Sequence, residues 1–455
     1  MAHATLYIND IDISLLNDDK ILYRQPSHVL NKNGEFLFGS TALAKTRIFP
    51  QNMQNRFWFD VSNKKYKIDG YKQFSPADIA SKELEYILSF LSKSTPILVI
   101  VPPYLEKQQV SLIVGIANEL NIKVIGIIES AIAATRNEYK DSKLLHLDLH
   151  LHCLSISLLQ QDNGVILERS VIINDCGMES FYALWIKMIS KAFIKQCRFD
   201  PLHTGDSDQQ LFDNLPVILS QSLTTDIVHI AIKNKGQVYS IEIVASEFSK
   251  AAIPLYKLLL NKLRLICEAE DLLAFQFSSH LSKLPGLKEF LESNFSSEIF
   301  KLPEETTIRG ASERFLIEDY EGNSLKLHKK LPWDKPSIRI KESSNKSVMK
   351  DIPSHILYES RAYKITELPL NIGTNPPYDS HNIKIKTNIG GISRQHCSLI
   401  IKNNKCLISD LSRYGTYLND QRIENSTFLS IGDKIRIGSP GIEFLLIYIN
   451  EDLDA

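Results

Sequence analysis

The chain has almost no net charge: 52 Lys and Arg against 53 Asp and Glu leave a formal −1. No long-range field therefore steers the whole molecule onto nucleic acid or an anionic membrane. Six cysteines (Cys153, Cys176, Cys197, Cys267, Cys397, Cys406) are scattered without a C-x-x-C pair. That pattern favours buried or incidental thiols in a reducing compartment over a zinc site or a disulfide framework. The most apolar run, from Pro96 through Val101, is broken by Pro102-Pro103, far short of the roughly 20 residues of a membrane span. The opening residues MAHATLYINDIDISLL lack a basic segment followed by an apolar stretch, so no secretory leader is expected. No nucleophile–base constellation, zinc spacing or nucleic-acid motif stands out. A cytoplasmic protein is expected, with no catalytic residue, no metal, and no nucleic-acid or membrane partner.

What is present is length and repetition. At 455 residues two or three domains are expected. Residues 5–29 alternate apolar and polar, turn at Asn17-Asp18-Asp19-Lys20, and extend again; residues 144–173 do the same around Gln161-Asp162-Asn163-Gly164. Each reads as a hairpin with one buried face, and the repeat points to an internal duplication. After the first hairpin, Pro76–Lys93 has helical periodicity with Ser75 as N-cap. Ile97–Val101 and Val124–Ile128 read as buried strands flanking a helix over Leu105–Leu120, which implies parallel pairing through a crossover. The second half predicts helices at Met178–Cys197 and Ala245–Glu268, a β-rich piece at Ile227–Val244, and a strand–helix unit over Leu272–Leu291. His203-x-Gly205-Asp206 with Asp208 reads as a turn in a polar loop. His150 and His152 alternate after Asp148 and are expected to share one strand face, a metal pair only if further ligands exist.

The pattern fades between Glu318 and Pro353. Lys326 to Lys350 holds eight basic and two acidic residues with two prolines, and a solvated linker is preferred over an arm that docks back. Beyond Ile356, short alternating strands with Gly and Asn turns follow one another closely, the pattern of an all-β sandwich.

Several blocks in residues 1–315 resemble the ATPase domain of the heat-shock chaperone and actin superfamily. Val101-Pro102-Pro103-Tyr104 stands where those chaperones carry Val-Pro-Ala-Tyr. Ile127 to Ala134 resembles their Asn-Glu-Pro-Thr-Ala-Ala helix start. Leu145–Leu158 resembles the strand bearing Asp-Leu-Gly-Gly-Gly-Thr, and Leu281–Leu291 with Arg309-Gly310-Ala311 resembles the adenosine block and its close. The resemblance implies an α/β fold of two ribonuclease-H-like lobes around a nucleotide cleft. Its glycines are missing, however. The second phosphate loop reads Asp148-Leu149-His150-Leu151-His152-Cys153, the first reads Tyr7-Ile8-Asn9-Asp10-Ile11-Asp12-Ile13, and Ser279-His280 replaces the glycine pair. Tight phosphate turns need glycine for close backbone approach. A pseudo-ATPase without ATP or Mg²⁺ is therefore expected, with Asn9, Glu129 and Asp148 as relic positions that cap a helix or end a strand. The chaperones' peptide-binding β-domain has no counterpart.

Residues 356–449 resemble a forkhead-associated domain. The blocks Leu370 to Thr374, Ile392-Ser393-Arg394-Gln395-His396-Cys397, Ile408 to Asn419 and Leu429 to Gly438 stand in its order. The resemblance implies a phosphothreonine reader with Ser393 as phosphate-binding hydroxyl, His396 bracing the loops, and Gly373, Gly415 and Asn419 as structural members. Two positions depart from the family: Thr374 replaces an arginine and Tyr414 an asparagine. Arg394 and Arg413 are then the guanidiniums that border the pocket, with Thr374, Tyr414 and Thr416 lining it. The expected plan is a scaffold over 1–315, a basic linker over 316–355 and the sandwich over 356–455, together an adaptor for a phosphothreonine-containing protein. The alternatives are an ATPase gated by phosphopeptide and a self-assembling structural subunit; oligomeric state stays open.

Overall fold

In a computed structural model, residues 3–448 are described apart from 33, 65–73, 93, 269–270, 316–324, 341–351, 360, 378–380, 387–389, 404 and 440. The chain divides into two compact units. The first comprises Met1–Tyr256, Leu273–Phe290 and Ser297–Lys341; the second comprises Lys257–Leu272, Leu291–Ser296 and Glu342–Ala455.

The first unit is α/β and holds two six-stranded sheets that share one plan over five of their strands. In one, the strands Lys20–Pro26, Asp12–Asn17 and Ala4–Tyr7 form an antiparallel meander, and Ile97–Val101 and Val124–Glu129 continue it in parallel. In the other, Val165–Asn174, Cys153–Gln161 and Lys143–Leu149 form the meander, continued in parallel by Leu273–Phe277 and Ser297–Lys301. The strands Ala4–Tyr7, Ile97–Val101 and Leu273–Phe277 are buried at every residue, because parallel sheets are covered on both faces. Helix Pro76–Leu88 supplies Leu84 and Ile87, and helix Lys107–Glu119 supplies Ile113 and Ile116, to a core with Leu6, Val99 and Ile127. Ser75 starts the first of these: its hydroxyl accepts from Asp78 N at 3.1 Å while the Asp78 carboxylate accepts from Ser75 N at 2.8 Å, a reciprocal capping box.

Three sequence expectations need correction here. Residues 205–222 are not a polar loop but a helix, Gly205–Ser222. Thr204 caps it by accepting from Ser207 N, and Asp206 and Asp208 lie in its first turn, where acidic side chains favour the helix dipole. His150 and His152 do not share a strand face. The strand ends at Leu149, and the chain turns because Met178 and Glu179 donate their N–H groups to the carbonyls of His150 and Leu151. Within the stretch read as a linker, residues 327–339 are not free chain. Leu327–His328 pairs with Ile127–Ile128, Lys330–Leu331 with Val165–Ile166, and Ile338–Arg339 with Tyr139–Lys140. Arg136 holds Asp334 through its Nε at 3.0 Å and Asp141 pairs with Arg339 at 3.4 Å, so the basic run is anchored by backbone pairing and ion pairs. Residues 316–324 and 341–351 of that stretch lie outside the described residues.

The second unit is a β-sandwich. One sheet runs Arg361–Lys364, His355–Tyr358, Ile442–Ile447, Lys434–Ile437, Thr416–Leu418, Gln421–Arg422; the other runs Asn382–Lys384, Leu370–Gly373, Cys397–Lys402, Lys405–Asp410, Ser426–Leu429. Ile356, Ile372, Leu399, Ile408, Ile435, Phe444 and Leu446 fill the space between them, each contributed by the inward alternation of its strand. The unit also takes in residues 257–272 and 291–296. Arg264 Nη1 reaches Asp433 Oδ2 at 2.7 Å with its side chain 2 % exposed, and Thr427 Oγ1 donates to the Arg264 carbonyl at 3.1 Å.

Candidate functional site

Two places carry the residues singled out by sequence. In the first unit, Asn9 and Asp148 come together. Asn9 Nδ2 donates to the Tyr7 hydroxyl at 2.9 Å, and that hydroxyl lies 3.4 Å from Asp148 Oδ2. Both line a pocket with Asp12, Arg24, His280 and Glu304, but its volume is only about 70 Å³, against roughly 300–1,000 Å³ for a small-molecule site. Glu129 lines a different groove. Its carboxylate accepts from Ala131 N at 3.0 Å and Ile132 N at 3.3 Å, capping the short helix Ser130–Ala134. Burial pushes its carboxyl up to about 7.

Asp10 was passed over in the sequence, although it directly follows Asn9. It is fully buried, and its carboxylate accepts the consecutive main-chain N–H groups of Leu151 at 2.9 Å and His152 at 3.3 Å. Successive backbone donors of this kind make an anion-binding concavity, and here the anion is the chain's own. Burial pushes the Asp10 carboxyl up, opposed by His150, His152 and these two donors. His150, also fully buried, bonds Ser155 Oγ through Nε2 at 2.9 Å and packs edge-on against Tyr104 with ring centroids 4.9 Å apart. His152 reaches the Asn55 carbonyl at 3.1 Å and Glu179 at 3.2 Å. Among the described residues, no group of three or more His, Cys, Asp and Glu could hold a metal ion.

In the second unit three loops meet at one end of the sandwich. Gly373 is needed for close approach: a Cβ there would stand 2.1 Å from the Arg394 carbonyl oxygen. Thr374 N and Asn375 N then donate to the carbonyls of Ser393 and Arg394 at 3.1 and 2.9 Å. Ser393 Oγ accepts from Arg413 N at 3.2 Å, which ties the third loop to the second and leaves the hydroxyl hydrogen available to a ligand. His396 is wholly buried. Its Nδ1 accepts from Ser393 N at 3.0 Å and its Nε2 faces the Gly415 carbonyl at 3.2 Å. These partners assign the neutral Nε2–H tautomer, and burial holds the ring below the ordinary imidazole value. Gly415 adopts φ +94°, the left-handed region, and its N–H donates to Ser412 Oγ at 2.7 Å. Arg394, Arg413 and Tyr414 are exposed on this rim.

Two expected pocket members, Thr416 and Thr374, have other roles, and Asn419, expected as a structural member, holds the turn beyond the next strand end. Thr416 is fully buried, and its hydroxyl donates to Asp410 Oδ1 at 2.8 Å. That carboxylate also accepts from Ser412 N at 3.0 Å, so Thr416 braces the loop from behind. Asn419 lies past the opposite end of the strand Thr416–Leu418, about 10 Å along it at the usual strand rise. It bonds Asp433 at 2.9 Å and Lys434 N at 3.0 Å in the next turn. Thr374 turns its hydroxyl onto the Ser393 carbonyl at 3.4 Å.

Two comparisons with known proteins bear on the chain, and the family match falls on the second unit. Residues 370–438 match the FHA domain family model. The serine/threonine-protein kinase RAD53 of Saccharomyces cerevisiae is 28 % identical over 151 residues, 31 % of this chain and 17 % of the kinase. The chain therefore spans less than a fifth of that relative's length. With loops, buried histidine and hydroxyl arranged as described, residues 370–438 are an FHA domain, a module that mediates protein interaction through phosphothreonine peptides.

Proposed function

We propose that the protein is a cytoplasmic, non-enzymatic adaptor that binds a phosphothreonine-containing partner through Ser393, Arg394 and Arg413. The observation that carries this reading is the placement of the Ser393 hydroxyl, held by Arg413 N at 3.2 Å on a rim with two exposed guanidiniums. A phosphate dianion is best held by charge-assisted donors of this kind. Arg394 and Arg413 replace the guanidinium that Thr374 no longer supplies. The test is a phosphothreonine peptide library probed with the protein and with Arg394→Ala and Arg413→Ala. Selected peptides should lose affinity with each substitution; unaltered binding by both variants refutes the assignment of these arginines.

The first unit serves in this proposal as a docking platform of the actin and heat-shock-chaperone type that no longer takes nucleotide. Support comes from the strand plan shared by its two sheets and from the Asp10 carboxylate lying on backbone donors where a phosphate would otherwise bind. The small pocket beside Asn9 and Asp148 points the same way. Calorimetric titration with ATP and Mg²⁺ should give no heat of binding up to millimolar concentration, and a micromolar isotherm would overturn this part of the reading.

A further inference from the structure

His152 stands where the two large sheets of the first unit meet. Its main-chain N–H is held by the Asp10 carboxylate, just past the first sheet's strand Ala4–Tyr7, and the next residue, Cys153, opens a strand of the second sheet. The side chain is 2 % exposed. Its Nε2 faces the main-chain carbonyl of Asn55 at 3.1 Å, and its Nδ1 faces Glu179 Oε2 at 3.2 Å. A carbonyl and a carboxylate both accept and neither donates. The two contacts are therefore hydrogen bonds together only when both ring nitrogens carry hydrogen, and the geometry calls for a buried imidazolium.

The groups around the ring agree with a positive charge. Asn55 Nδ2 donates to the second oxygen of Glu179, which keeps that carboxylate aimed at the ring. Phe59 meets the imidazole edge-on with ring centroids 5.5 Å apart. Arg56 is turned to Asp60 at 2.8 Å and stacks over Phe59, so its charge is matched. His28, whose ring feels both Glu179 and His152, is pushed down to about 4 by burial and adds no second cation. His150, in the same turn, is tied to Ser155 and Tyr104. Burial alone would push the His152 ring down; the bond to Glu179, the Asp10 charge and the Asn55 carbonyl outweigh it and hold the ring above the ordinary imidazole value. Glu179 moves in the matching direction: burial would raise it, and its bonds from His152 and Asn55 hold it below the usual carboxylate range.

We propose that His152 is a proton-operated latch within the first unit: with two ring protons it fastens the Asn55 segment to the first turn of helix Met178–Cys197, and loss of one proton unfastens the Asn55 end. Acceptor strength chooses the end. A carboxylate holds a donor more strongly than a carbonyl does, so the remaining proton stays at Nδ1 on Glu179 and Nε2 turns a lone pair towards the Asn55 carbonyl. Two lone pairs at that separation repel. Asn55 follows strand Met53–Gln54, which pairs with Val29 and Leu30, so the release passes into the small sheet of Glu35–Phe38, Val29–Lys32 and Met53–Gln54. A ring held above its unfolded value of about 6.5 contributes fully below that pH, and the contribution is lost as pH rises through the folded value. The latch opens on the alkaline side. It rests on neither the phosphate reading nor the nucleotide-free platform.

The test is an NMR titration of the full chain with isotope-labelled histidine rings, the His152 signal being identified by its contact with Phe59. The ring's midpoint should lie above about 6.5, with both nitrogens protonated on the acid side. Glu179 has a side chain 49 % exposed, so Glu179→Gln leaves the core closed. That variant should lower the midpoint by about one unit or more, roughly ten-fold in acid constant. Amide protection of the paired strands Val29–Lys32 and Met53–Gln54, taken relative to intrinsic exchange, is followed in parallel. It should fall by about ten-fold per pH unit between about 6.5 and the native midpoint and then level off, and Glu179→Gln should flatten that slope. A midpoint at or below about 6.5, a midpoint that Glu179→Gln leaves in place, or protection indifferent to the ring's charge overturns the inference.

Discussion

Glu83 is a buried carboxyl whose removal should change the pH dependence of the first unit's stability. It lies on helix Pro76–Leu88 with no solvent exposure, and Trp58 Nε1 donates to its Oε2 at 2.6 Å. Its Oε1 has no hydrogen-bond partner among the described residues. Burial pushes the carboxyl up from 4.5 to about 8. A carboxyl raised in this way binds its proton more tightly folded than unfolded. Its contribution is complete below the unfolded value and is lost as pH rises towards the folded one. Each pH unit inside that window is worth about 1.4 kcal/mol, so between pH 5 and 7 the native protein should lose about 2–3 kcal/mol from this group alone. Glu83→Gln keeps an acceptor for Trp58 and removes the titration. Chemical denaturation followed by tryptophan fluorescence, repeated from pH 5 to pH 8, should show the variant's stability changing less steeply than the native protein's. The two curves should converge or cross as pH rises. Parallel curves across that range would refute the claim that Glu83 is held protonated.

Other consequences concern both units. Gly373→Ala puts a methyl 2.1 Å from the Arg394 carbonyl, so the Ser393 loop must move and phosphopeptide binding should fall more than ten-fold, while circular dichroism shows the sandwich still folded. Asp10→Asn leaves one of the two N–H groups of Leu151 and His152 facing another donor; thermal unfolding should report a loss of about 1–3 kcal/mol, the cost of an unsatisfied buried polar group. His396 is depressed by burial, so the stability it confers is present above about pH 6.5 and lost as pH falls further. Protection of the Ser393 amide, its exchange rate taken relative to the intrinsic rate at each pH, should fall once the ring takes up a proton, and protection that is unchanged where the ring's NMR titration shows it charged contradicts the assigned tautomer.

Much of the fold could be read from alternation and periodicity. The two hairpins announce themselves because one face of each is buried, and Met178–Cys197 is found with its bounds intact. The helix Gly205–Ser222 was hidden by its polar first turn and by Pro216 within it; Leu211, Leu215, Ile218 and Leu219 were the available signal. The docked residues 327–339 were hidden for another reason. Their hold comes from backbone pairing with strands far away in sequence, which composition does not encode.

The binding site divides in the same way. Ser393, His396, Gly373 and Gly415 could be placed because the blocks that resemble a forkhead-associated domain carry them in order. Thr416 stands in the same blocks but faces Asp410, and no linear motif states which way a side chain turns. Asp10 was overlooked because its role depends on main-chain donors 141 and 142 residues away.

The central claim is that the FHA domain recognises phosphate through Ser393, Arg394 and Arg413, and one titration tests it most directly. The best phosphothreonine peptide is titrated calorimetrically into the full chain before and after phosphatase treatment of the same peptide. A clear isotherm is expected before treatment and none afterwards. Equal binding of the two forms would contradict it, and would make this end of the sandwich a surface that reads sequence without phosphate.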